Sequence, residues 1–132
     1  MRDPAKLRVL ARATELAVAV YRLAASFPSH ERFGLAGQMR RAAVSVGSNI
    51  AEGCGRRTER DFLQFLYVAR GSSVELAFQL RVAGALGFGL RDAHATIADR
   101  IDHVQRMLNR FTTNRKRALN APSARSSLDA GD

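Results

Sequence analysis

The sequence predicts an all-α protein, an antiparallel up-down-up-down four-helix bundle, on three observations. Apolar residues recur at spacings of three and four along most of the chain, the signature of helices with one buried stripe. No alternating Val/Ile/Thr run is bounded by Asn-Gly or Asp-Gly turns, so strand signals are absent. Three short Gly- or Pro-containing connections separate the periodic segments, and short connections place sequence neighbours antiparallel.

The first helix is expected over residues 7–26, where Val9, Ala13, Leu16, Val20, Leu23 and Phe27 form the seam and Pro28 stops it. Leu10, Ala17 and Tyr21 make a second apolar face, suited to another subunit. After a loop at 28–32, a second helix is expected over 33–51 with Leu35, Met39, Ala42, Val46 and Ile50 inward, ended by Gly53 and Gly55. Thr58 and Asp61 resemble a short capping box that opens a third helix reaching Leu86, with Phe62, Phe65, Leu66, Ala69, Leu76, Leu80 and Ala83 on its core side. Gly71 inside that helix suggests close approach of a neighbour, since an interior glycine costs about 1 kcal/mol relative to alanine. Gly87 and Gly89 make the next turn. A fourth helix over 92–115 carries Ile97, Ile101, Val104, Leu108 and Phe111. The bundle is thus placed at 1–117, followed by a flexible polar tail at 118–132.

Charge narrows the class of partner. The chain of 132 residues has 21 Lys+Arg against 12 Asp+Glu, a net charge of +9, which favours polyanions such as RNA or DNA. Only Lys6 and Lys116 are lysines; the arginine fork suits phosphate better than an ammonium does, and a GC-rich genome's preference for arginine codons is the alternative cause of the bias. Cys54 is the single cysteine, so no intrachain disulfide forms, which fits a reducing compartment. Arg8, Arg12 and Glu15 interrupt the apolar stretch a signal peptide requires, and uncharged runs at 42–51 and 82–90 fall short of the roughly 20 apolar residues of a membrane span. The expectation is a cytoplasmic protein that does not enter a membrane.

Two groups of residues stand out as candidate sites. Gln38, Arg41, Ser45, Ser48 and Glu52 step 3, 4, 3, 4 along the second helix, with Asn49 beside them. This stripe reads either as a solvated face or as a structural polar network to a neighbouring helix or subunit. Serine and asparagine are poor interior helix residues, which favours the network. Glu52 and Glu75 are its expected acceptors and Arg41 and Arg70 its donors, so Glu52→Ala is expected to destabilise the fold or its assembly. Arg40, Arg41, Arg56, Arg57 and Arg60 form the nucleic-acid candidate, weighed against scattered solvent arginines near Glu52 and Glu59. Arg106, Arg110, Arg115, Lys116 and Arg117 read as favourable charge at a helix C-terminus.

Catalytic patterns are missing, so the chain reads as a non-enzyme without cofactor or metal. No glutamate has a histidine three residues on, as a two-metal bundle needs. Asp99 and His103 share a face, but one pair is too few ligands for a metal. Cys54 would be reactive if Arg56 and Arg57 lowered its pKa, and inert if it is an apolar contact.

The stretch QMRRAAVSVGSNIAEG at residues 38–53 resembles the signature of the four-helix bundle family named for proteins encoded in 23S rRNA intervening sequences, and FLYVARGSSVEL at 65–76 resembles that family's third-helix motif. The same family includes the accessory variability determinant of diversity-generating retroelements, a basic barrel-shaped pentamer that binds nucleic acid and assists a reverse transcriptase. The resemblance implies a homopentamer of bundles and makes Gln38 to Glu52 and Arg70 to Glu75 structural or interface signatures. It also admits a protein partner such as a reverse transcriptase. Two positions depart from the family pattern: Gly47 stands where proline is common, implying a softer kink, and Ser73 where an apolar residue is usual. The function expected is a homo-oligomeric basic scaffold that binds RNA or DNA through phosphate contacts; the alternative is a protein-protein adaptor.

Overall fold

The computed structural model describes residues 3–121, and its regular structure is helical throughout: α1 (Pro4–Ala25), a single 3-10 turn (Ser29–Glu31), α2 (Leu35–Cys54), α3 (Glu59–Ala85) and α4 (Arg91–Asn120). The first three helix starts each have a local cause. Asp3 caps α1 by accepting from the Ala5 N–H at 2.9 Å, and Pro4 in the first turn loses nothing there because that N–H has no helical partner. The expected start at residue 7 therefore falls a turn late. Glu31 reaches forward to accept from the Leu35 N–H at 2.9 Å, which begins α2 at Leu35 and leaves Phe33 outside it and exposed. The Thr58 hydroxyl accepts from the Asp61 N–H at 3.1 Å, as the capping pattern predicts. Gly87 and Gly89 both take positive φ in the α3–α4 turn, a conformation other residues adopt only with strain.

The helices form a ring. α1 packs on α2 and α4, α3 packs on α2 and α4, and neither diagonal pair comes close. Nearly every seam residue read from the sequence lies in the shared core: Val9, Ala13, Leu16, Val20, Leu23 and Phe27 from α1 and its end, Met39, Ala42, Val46 and Ile50 from α2, Phe62, Leu66, Ala69, Leu76, Leu80 and Ala83 from α3, and Ile97, Ile101, Val104 and Leu108 from α4. Leu35, Phe65 and Phe111 sit at the core's margin, half-buried. Full burial of a leucine such as Leu66 contributes about 1.5–3 kcal/mol.

Three expectations about the helices change. Gly53 does not stop α2; it is buried inside the last turn, where a Cβ would lie 2.9 Å from that of Phe65. Among the described residues nothing lies within 4 Å of the absent Cβ of Gly71, so no described helix packs there. α4 continues to Asn120, three residues past the boundary placed at 117, carried by good helix formers from Arg115 to Leu119. Residues 122–132 of the expected tail lie outside the described residues. The two departures from the family pattern are absorbed quietly. α2 runs unbroken through Gly47, and Ser73, fully buried, donates its hydroxyl to the Arg70 carbonyl at 2.6 Å.

Candidate nucleic-acid interface

The polar stripe of α2 faces α3 along part of its length. The hydroxyls of Ser45 and Ser72 meet at 2.8 Å, and the Asn49 amide donates to the Ser45 carbonyl at 2.8 Å and to its hydroxyl at 3.1 Å. Gln38, Arg41 and Ser45 line an open cavity of about 420 Å³ with Ser72 and Glu75. Among the described residues the expected ion pairs do not form. Glu52 is exposed and pairs with Arg56 one turn on, at 2.7 Å. Glu75 accepts from the Gln79 amide at 3.1 Å, and Arg70 donates to Asn109 on α4 at 3.3 Å. The Arg41 guanidinium lies back over Gly37, and Ser48 is solvent-exposed. Arg41 and Glu52 stand about 16 Å apart along α2, too far for one side chain to span, while Arg41 and Glu75 line the same cavity without forming an ion pair.

The arginine cluster read from the sequence divides in two. Arg40 donates to the Arg32 carbonyl at 2.8 Å and stands 6.0 Å from the Tyr21 ring centre, beside the α1–α2 connection. Arg56 lies over Phe65 at 4.7 Å, with Arg57 and Arg60 exposed near it around the α2–α3 connection. The helical rise puts about 20 Å between the two groups, so they do not make one patch.

A second concentration of arginine lies in the groove between α1 and α4, assembled from residues about a hundred positions apart in sequence. Arg8 and Arg12 on α1 face His103, Arg106, Met107 and Arg110 on α4 around a cavity of about 330 Å³. A neighbouring cavity of about 240 Å³ shares Arg8, Met107 and Arg110 and extends to Phe111, Asn114 and Arg115. Arg12 pairs with Glu15 and Arg106 with Asp102, each at 2.7 Å on the surface. Arg115 is held by Asp3 at 2.9 Å and Glu59 at 3.3 Å. Among the described residues neither Arg8 nor Arg110 pairs with a carboxylate. The reading of Arg106, Arg110 and Arg115 as simple end-of-helix charge misses this partnership with α1. The available signal was the pair of four-residue arginine spacings, Arg8/Arg12 and Arg106/Arg110, on the first and last helices of a four-membered ring.

Two other groups settle into structural roles. Burial pushes the Cys54 thiol above its ordinary pKa, the opposite of activation by Arg56 and Arg57, so it behaves as an apolar contact. The His94 ring donates to the Phe88 carbonyl and braces the α3–α4 turn. Among the described residues no three His, Cys, Asp or Glu side chains gather as a metal site would require, and no described helix is long and apolar enough to cross a membrane.

Four helices around one core, with arginine on several faces, make this a small all-α protein of the helical-bundle class. The chain belongs to the family of the 23S rRNA-intervening sequence proteins, whose family model matches residues 5–110. It is also similar in fold to a crystallised protein of unknown function from the S23 ribosomal protein family of Bacteroides thetaiotaomicron, with a TM-score of 0.77 at 20% identity, over 83% of this chain and 98% of that one. No curated protein matches the chain in sequence.

Proposed function

We propose that this protein is a cytoplasmic, non-enzymatic scaffold: an antiparallel bundle that assembles with copies of itself and binds RNA or DNA through phosphate contacts. The observation that carries the reading is the surplus of unneutralised arginine. Among the described residues the ion pairs engage Arg12, Arg56, Arg100, Arg106 and Arg115, so most of the other arginines, Arg8, Arg40, Arg41, Arg57, Arg60 and Arg110 among them, have no carboxylate partner. A protein that used its arginines only for internal pairing would have consumed them. Antiparallel packing is supported by Asp3, at the start of α1, meeting Arg115 near the end of α4, while Leu23 near the end of α1 meets Gly89 just before α4.

Self-assembly is supported by an apolar stripe on α3. Tyr67, Gly71, Val74 and Phe78 follow one another at spacings of 4, 3 and 4, and Phe78 is 65% exposed. Gly71 leaves a flat place in that stripe where a helix of another copy fits closely. The family resemblance sets the expected number of copies at five.

Gel-shift titration with duplex DNA and structured RNA tests the binding reading. Affinity should fall steeply with salt, at a slope near −0.9 per phosphate contacted on DNA. Absence of binding at low salt removes it and leaves the adaptor reading, which the same α3 stripe would serve with a protein partner.

A further inference from the structure

We infer that the α1–α4 groove is the track on which this protein holds a nucleic-acid phosphate backbone; the inference rests on the binding reading above and names its site. The two walls are built alike. Arg8 and Arg12 stand one helical turn apart on α1, and Arg106 and Arg110 stand one turn apart on α4, so each wall repeats a cation about every 6 Å. The two cavities join through Arg8, Met107 and Arg110 into one open groove. A repeated pair of positive walls fits a ligand whose negative charge also repeats, and the planar fork of arginine suits a phosphate with two parallel hydrogen bonds.

The groove's own acids do not close it. Glu15 and Asp102 lie on the surface beside Arg12 and Arg106, in ion pairs both of whose partners are more than 40% exposed. Pairs of that kind contribute little, and a guanidinium has five N–H donors, so a phosphate can join without displacing the carboxylate. Arg115 is different. Two carboxylates from separate segments hold it, so it forms the groove's end wall rather than a contact for the ligand. Ala5, Met107 and Phe111, all partly buried, supply an apolar floor without competing hydrogen-bond donors.

Position in the ring favours the same face. The α1–α4 seam lies opposite the α2–α3 seam, and the body of α4 displays none of the large exposed apolar side chains that α1, α2 and α3 carry; its only one, Leu119, is at the C-terminal end. An assembly built on the α3 stripe would use a helix that does not line the groove.

The test compares two double variants of the full chain, each removing two positive charges. Arg8→Gln/Arg110→Gln empties the groove of its unpaired arginines, and Arg81→Gln/Arg91→Gln removes as many exposed arginines from around the α3–α4 connection. Fluorescence anisotropy with labelled single-stranded RNA, its DNA equivalent and duplex DNA is followed from 50 to 200 mM salt, with helicity checked by circular dichroism. The groove pair should flatten the salt dependence on duplex DNA by about 0.9 for each phosphate no longer held, and the control pair should leave the slope near that of wild type. RNA and DNA arms that respond together indicate backbone binding; a loss confined to RNA assigns the groove to the 2′-hydroxyl-bearing strand. Wild-type binding with an unchanged slope in the groove variant overturns the site but spares the binding reading. Displacement of the nucleic acid by polyglutamate at equal charge concentration overturns the nucleic-acid assignment in favour of an acidic protein partner. No binding by the wild type overturns both.

Discussion

Arg115 binds Asp3 across 112 positions of sequence, Nη2 to Oδ2 at 2.9 Å, and its other terminal nitrogen reaches Glu59 at 3.3 Å. One guanidinium therefore ties the start of α1, the start of α3 and the late part of α4. Asp3 also accepts from the Ala5 N–H, and that hydrogen bond, with Arg115 assisting, holds its carboxyl below the usual aspartate range. A lowered carboxyl pKa gives stability that is complete above the unfolded value and is lost as pH falls through the folded one. Glu15, lowered by Arg12 foremost and then Arg100, behaves likewise. Asp3→Asn keeps an oxygen for the cap but removes the charge, so the decline of Tm below about pH 4 should become shallower. Thermal melts from pH 2 to 7 with the same acid limb in variant and wild type would count against this account.

Two glycines in α2 and α3 should respond oppositely to alanine. Gly53→Ala forces a Cβ to 2.9 Å from that of Phe65 and 3.2 Å from the Phe62 ring, and overpacking of this kind costs about 1–3 kcal/mol, more than the roughly 1 kcal/mol that alanine contributes in a helix. Gly71→Ala meets open space within the chain and should stabilise the isolated fold by about 0.5–1 kcal/mol. If a second copy packs on the α3 stripe, Gly71→Ala should at the same time lower the assembled mass. Urea titration and light scattering on the two variants separate these effects.

The Ser45–Ser72 contact links α2 to α3 through a partly buried hydroxyl pair. Ser45→Ala and Ser72→Ala should each cost about 0.5–1.5 kcal/mol, and the double variant less than their sum, because the second loses a bond already gone. Ser45→Ala should cost more, since it also removes an acceptor from Asn49. A double-mutant cycle with strictly additive losses would show the hydroxyls to be uncoupled.

Glu52→Ala should change stability of the folded chain by less than about 0.5 kcal/mol, because among the described residues its partner is the exposed Arg56 one turn away. That reverses the larger effect expected from a buried arginine. A loss above about 2 kcal/mol in chemical denaturation would mean that Glu52 meets an arginine from another copy.

The seams of all four helices were legible because a residue repeated at three and four positions can face only one way on a packed helix. The seams from Val9 to Leu23 in α1 and from Ile97 to Leu108 in α4 are buried as their spacing required. Glycines were harder. Gly53 and Gly71 look alike in sequence, yet one is pressed against Phe65 and the other faces open space, a difference set by which helix lies opposite. Partners of the polar residues were harder still. Arg115 could be matched to Asp3, or Arg8 to Arg110, only once the ring order of the helices was known, because nothing local joins residues a hundred positions apart. Helix starts were missed where a side chain several residues upstream, Asp3 or Glu31, supplied the cap.

The most direct test of the account is size exclusion coupled to multi-angle light scattering, run on the purified chain with and without a short structured RNA. A mass several times that of one chain, rising further when RNA is added at low salt and returning when salt is raised, is the predicted result. A mass of one chain at every concentration, unchanged by RNA, would contradict both the assembly and the binding on which the account is built.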